Sequence, residues 1–97
     1  MITNYTRGLY DRAIKRWGGQ AQLRMLQEEC GELIVAVAHV LRKNKSLSTT
    51  ELVDEIADVE IMCEQARVLL GDEGSDLVDR AKDAKLRRLQ ARLEASS

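Results

Sequence analysis

The chain has 97 residues, enough for one domain, and carries 15 Lys and Arg against 16 Asp and Glu. That balance gives no global basic field for nucleic acid, and no apolar run approaches the ~18 residues of a membrane span. The opening MITNYTRGLYDR lacks the apolar core of a signal peptide, so a cytoplasmic protein with no membrane partner is expected.

Proline is absent while Ala, Leu, Glu, Lys and Arg abound, a composition that predicts an all-α fold in a single domain over residues 1–97. The first helix is expected from about Thr3 to Trp17, with Tyr10, Ala13, Ile14 and Trp17 on one apolar stripe and Gly18-Gly19 ending it. Tyr10 and Trp17 are two of three aromatics. Burial tendencies favour the core for Trp17, and stacking on a nucleobase is the other reading.

The second helix is expected over about Gln20 to Lys43. Its segment Leu33 to Leu41 is apolar nearly all round, broken only by His39, and a helix of that kind has to be surrounded. Gly31 inside it costs ~1 kcal/mol relative to Ala. It either admits a close neighbour or is tolerated. His39 has no second His or Cys at ligand spacing and reads as a hydrogen-bonded structural residue.

Asn44 to Leu47 read as a short polar loop. Ser48 followed by Glu51 reads as a capping box opening a third helix from about Thr49 to Leu70, with Gly71 as its C′ residue. The sequence GDEGS would then lead to a fourth helix from about Ser75 to Ala95. On that helix Asp76 has Arg80, Asp79 has Lys82, and Asp83 has Arg87 within reach. Lys85, Arg88 and Arg92 form one basic ridge, which charge pattern alone reads as a solvated face. Cys30 and Cys63 are too few and too far apart for a zinc site or a disulfide scaffold. Cys63, on the stripe Leu52, Ile56, Val59, Cys63, reads as a small buried hydrophobe.

The acids of the middle helices behave differently from those of the last. Glu29 and Glu32 are three apart, Glu55 and Asp58 likewise, and helical residues at that spacing share a face with Cβ atoms ~5–6 Å apart. None of the four has a cation three or four residues away, and Glu28 stands beside Glu32. Two unpaired carboxylate pairs flanked by apolar residues point to a bound divalent cation. All-oxygen ligation suits Mg2+ or Mn2+ rather than zinc. A solvated acidic helix face is the plainer reading in a chain that is 32% charged.

The order of these acids adds a resemblance. The chain reads E-E-x-x-E at Glu28, Glu29 and Glu32, then 22 residues, then E-x-x-D at Glu55 and Asp58. WGGQ precedes the first motif, GELI lies within it, DEIADVEIM surrounds the second, and KLRRLQARL closes the chain. Over about Leu9 to Leu93 this resembles the MazG-like all-α nucleoside triphosphate pyrophosphohydrolases.

The resemblance implies a four-helix chain whose bundle is completed by dimerisation, as a homodimer or a dimer of dimers. The all-apolar second helix independently asks for such cover. It implies Glu29, Glu32, Glu55 and Asp58 as ligands of Mg2+, with Mn2+ the other candidate. Glu28 would sit behind them or position the attacking water. Lys85 and Arg88 become candidate phosphate ligands and Trp17 a candidate substrate contact. Relatives often carry an Asn on the closing helix, and Leu89 stands near that place here, so a contact that depends on the Asn is not carried over. The implied reaction is water attack between the α- and β-phosphates of a (d)NTP, giving (d)NMP and pyrophosphate. Two rival functions stand beside it: a non-catalytic metal-binding helical interaction module, and a hydrolase of a phosphoribosyl nucleotide.

Overall fold

The structure, a computed structural model, describes residues 1–42 and 45–96. Among these residues it is all helical: α1 spans Asn4–Trp17, α2 spans Gly19–Leu41, and α3 spans Lys45–Ser96. Thr3 caps α1 in a reciprocal box, its Oγ1 accepting from the Thr6 backbone N–H at 3.1 Å while Thr6 Oγ1 accepts from the Thr3 N–H at 2.8 Å. Gly18 then turns the chain with φ 88°, a conformation that favours glycine, and its N–H closes on the Ile14 carbonyl at 2.8 Å.

The expected fourth helix follows the third with no loop between them, and Gly71, expected to end the third, is where the two meet. Helix α3 runs on through GDEGS, interrupted only at Gly71, where φ 79° and ψ 175° leave the helical region for a single residue. One glycine is enough to break the axis without a loop, because it takes the positive φ with no side-chain clash. Among the described residues there are thus three helical elements, the third made of two helices meeting at a kink, where four joined by loops were expected. A Cβ at Gly74 would lie 2.5 Å from the Leu70 Cβ, so the tight bend leaves no room for a side chain there.

Helix α3 also begins earlier than expected. Lys45 is its first residue, which places Ser48 inside the helix rather than at its cap, and the expected loop shrinks accordingly. Asn44 and Lys43 lie outside the described residues. Instead of completing a capping box, Glu51 sets its Oε2 2.8 Å from His39 Nδ1, which ties the end of α2 to the start of α3. His39 is thus hydrogen-bonded, as its isolation predicted.

Helices α2 and α3 form the most extensive contact and run antiparallel. Gly19 approaches Leu69 so closely that a Cβ there would sit 2.8 Å from Leu69 Cδ2, while at the other end His39 meets Glu51. Helix α1 is pinned to α3 by Tyr10, whose buried hydroxyl donates to Glu64 Oε1 at 2.5 Å. Burial and that bond push the Tyr10 hydroxyl up to about 12, and the same bond holds Glu64 below the ordinary carboxyl range.

The core within one chain is thin. Among the described residues the buried hydrophobic ones are Tyr10, Ala36 and Met62, joined by Gln22 and Gln65, and no large side chain is fully enclosed. Trp17 is 61% exposed and Cys63 is exposed, so neither is the core residue its stripe predicted. Likewise the apolar face of α2 is open at Ile34, Val35, Val37 and Leu41, and a Cβ on Gly31 would touch nothing within 4 Å. The stripes were read correctly as apolar, but one chain does not supply the atoms to cover them. Extension accompanies this: the radius of gyration is 16.3 Å, where a compact chain of this length has ~12.5 Å.

Candidate metal centre

The antiparallel register of α2 and α3 brings two glutamates of one helix against one of the other. Glu29 and Glu32, a turn apart on α2, and Glu55 on α3 each offer a carboxylate oxygen within 4.8 Å of the others. Sequence spacing put each pair on one face, and helix packing puts the faces together. Among the described residues no ion pair reaches Glu29, Glu32, Glu55 or Asp58.

Two oxygens of the group, Glu29 Oε2 and Glu55 Oε2, are buried and have no hydrogen-bond partner. A carboxylate oxygen shut from water with nothing donating to it is unfavourable, and a proton shared between the carboxyls or a cation would relieve it. The electrostatics agree. Removal from water, then the charges of Glu32, Asp58 and Glu55, push the Glu29 carboxyl up to about 7. Glu55 is raised too, by removal from water first and then by Glu32.

Asp58 is on α3 one turn beyond Glu55 and exposed. Its charge acts on both raised glutamates, but it contributes no oxygen to the mutually close group. Glu28 is exposed beside the group. Lys85 and Arg88 are exposed on the stretch of α3 beyond the kink, and among the described residues no hydrogen bond or ion pair joins them to the acids. Trp17 is at the end of α1 with the Arg16 guanidinium 5.7 Å above its ring, beside a depression also lined by Leu9, Arg12, Ala13 and Lys15.

The chain matches no protein-family model, no curated protein and no solved structure. The site therefore stands on its own residues.

Sequence reasoning missed the partners that hold the surroundings in place. Tyr10 and Glu64 are 54 residues apart, and no local pattern joins them. Asp79, expected to pair with Lys82, instead meets Arg67 across the kink, whereas Asp76–Arg80 and Asp83–Arg87 pair as their spacing predicted.

The raised Glu29 has a consequence for the metal-free protein. Its folded pKa of about 7 exceeds the ordinary 4.5, so between these values the folded state holds a proton that the unfolded state has released. Stability should then fall as pH rises from about 4.5 to 7, with the loss complete above 7. Thermal melts in a chelator across that range should show this decline, and Glu29→Gln should flatten it. An equally steep slope in the variant would rule out Glu29 as its source.

Proposed function

We infer that the chain is a Mg2+-dependent nucleoside triphosphate pyrophosphohydrolase of the MazG-like type, cleaving (d)NTP to (d)NMP and pyrophosphate and working as a homo-oligomer. The observation that carries this is the convergence of Glu29, Glu32 and Glu55, with two buried oxygens that have no hydrogen-bond partner among the described residues. The motif order that suggested the function places these same residues on two helices, and the packing of those helices brings them together.

Glu29, Glu32 and Glu55 would hold the ion, with Asp58 the fourth ligand. Bound there, Mg2+ or Mn2+ supplies Lewis acidity at phosphate oxygens and a lowered pKa for water. The remaining work falls to the chain. Four carboxylates repel a triphosphate, so the acidic face needs both its cation and a basic counterpart. Lys85 and Arg88, one turn apart and in no ion pair among the described residues, supply that counterpart as phosphate ligands. Glu28, exposed beside Glu32, would orient the attacking water, and Trp17, 61% exposed, would stack on a base.

A panel of ribo- and deoxyribonucleoside triphosphates and phosphoribosyl nucleotides, scored by pyrophosphate release with and without Mg2+, tests the reading. Release from triphosphates only with metal is expected. A chain that gains stability from Mg2+ yet turns over nothing would be a metal-binding interaction module. Lys85→Met and Arg88→Met keep helix propensity close to that of the original residues, so they should raise KM, lower kcat, or both without unfolding. Each lost charge-assisted contact is worth ~1.5–3 kcal/mol, about ten- to a hundredfold in kcat/KM. Unchanged kinetics in both variants would return the ridge to plain solvated surface.

A further inference from the structure

Arg67 sits four residues before the break at Gly71, and its guanidinium reaches across to the far side. Nε donates to Ser75 Oγ at 3.0 Å, and Nη2 donates to the Ser75 carbonyl at 3.1 Å and to Asp79 Oδ1. In an unbroken helix residues 67 and 79 would be separated by ~18 Å along the axis, beyond the reach of the two side chains. The contacts exist only because the chain bends at Gly71, and they in turn hold the bend. One further ion pair among the described residues meets the bend, Arg7 Nη1 to Asp72 Oδ1 at 3.4 Å, and beyond it every described residue from Asp79 to Ser96 is exposed. Arg67 itself is largely covered, its side chain 20% exposed.

We propose that Arg67 is a positioning residue, clasping Ser75 and Asp79 so that the stretch of α3 beyond Gly71 points in one direction and carries Lys85 and Arg88 to a fixed place. The fork of the guanidinium suits the task. It binds a hydroxyl, a carbonyl and a carboxylate at once, and a lysine ammonium cannot reproduce that planar arrangement. The backbone at Gly71 supplies freedom of direction, and the clasp removes it. The kinetic consequence rests on the phosphate-binding role given above to Lys85 and Arg88; the structural one does not.

Two measurements test this separately. Spin labels at Ala57→Cys and Ala91→Cys, with Cys30→Ser and Cys63→Ser and an excess of unlabelled chain, read the distance between the two halves of α3 within one chain. Arg67→Gln and Asp79→Asn should each shift and broaden the distance distribution, and Arg67→Lys should fall between them and the wild type. Asp79 is exposed, so its variant reports even if Arg67→Gln fails to fold. A distribution unchanged in Asp79→Asn and in folded Arg67→Gln overturns the proposal. In the second measurement, Arg67→Gln should raise KM for the triphosphate at nearly constant kcat, and add no further rise in a Lys85→Met, Arg88→Met background. A fully additive rise overturns the link to those two residues. A wild-type chain with the clasp-dependent distance but no turnover sinks the hydrolase reading and leaves the clasp standing.

Discussion

Glu55→Gln should abolish most pyrophosphohydrolase activity while leaving the metal-free fold as stable as the wild type or slightly more so. Glu55 brings its charge from α3 against Glu32 on α2 and Asp58 on its own helix. The amide keeps the shape, removes that repulsion and can donate toward a neighbouring carboxylate, as expected at a functional site that stores strain. Weakened support behind a metal ligand already costs 10–100-fold. Loss of the ligand itself should reach at least ~100-fold. Metal binding gives an independent readout: at a concentration 100 times Kd, Mg2+ stabilises the wild type by ~2.7 kcal/mol. For a chain of this size that is a rise in Tm of roughly 10–20 °C, and Glu55→Gln should lose most of it. Asp58→Asn should do the same less completely, since Asp58 acts from outside the closest group. Normal turnover together with an undiminished Mg2+ shift in Glu55→Gln would end the metal assignment and the function with it.

The second large effect concerns assembly. One chain exposes 7711 Å², where a folded monomer of its mass exposes ~5,600 Å². The difference, about 2,100 Å² per chain, is more than one partner contributes to a standard interface and fits an obligate dimer or dimer of dimers. Sedimentation at micromolar concentration should find such an oligomer, with a Tm that rises with protein concentration. Ile34→Glu sharpens the test. Ile34 is 70% exposed in the single chain, and a substitution on free surface changes stability by at most ~0.5 kcal/mol. Buried against a partner, the same charge would be unpaired and should dissociate the assembly. A compact monomer indifferent to Ile34→Glu would dispose of the oligomer.

What could be read from sequence follows the range of the interaction. Helical spacing is local, so the pairs Glu29–Glu32 and Glu55–Asp58, the turn at Gly18 and the pairs Asp76–Arg80 and Asp83–Arg87 were all legible. The approach of Glu55 to Glu29 depends on how two helices pack, and only the motif resemblance hinted at it. Trp17 and Cys63 show the limit of a stripe. It says which side of a helix avoids water, not whether the cover comes from the same chain. At Gly71 the glycine marked a break, but whether a loop or a bend follows turns on Arg67 finding Ser75 and Asp79, eight and twelve residues away.

The exposure of α3 from Asp79 onward bears on how the molecule opens. An isolated helix of about that length is marginal in water, because nucleation is costly and, past the Arg67–Asp79 pair at its start, no buried face among the described residues repays it. The amide hydrogens of this stretch should therefore exchange with solvent far sooner than those around Tyr10 and Met62, through local fraying rather than global unfolding. A protease would find its first cuts there, and the chain left behind would keep Glu29, Glu32 and Glu55 in place. The acids and the basic ridge thus belong to parts of the molecule that open on different clocks.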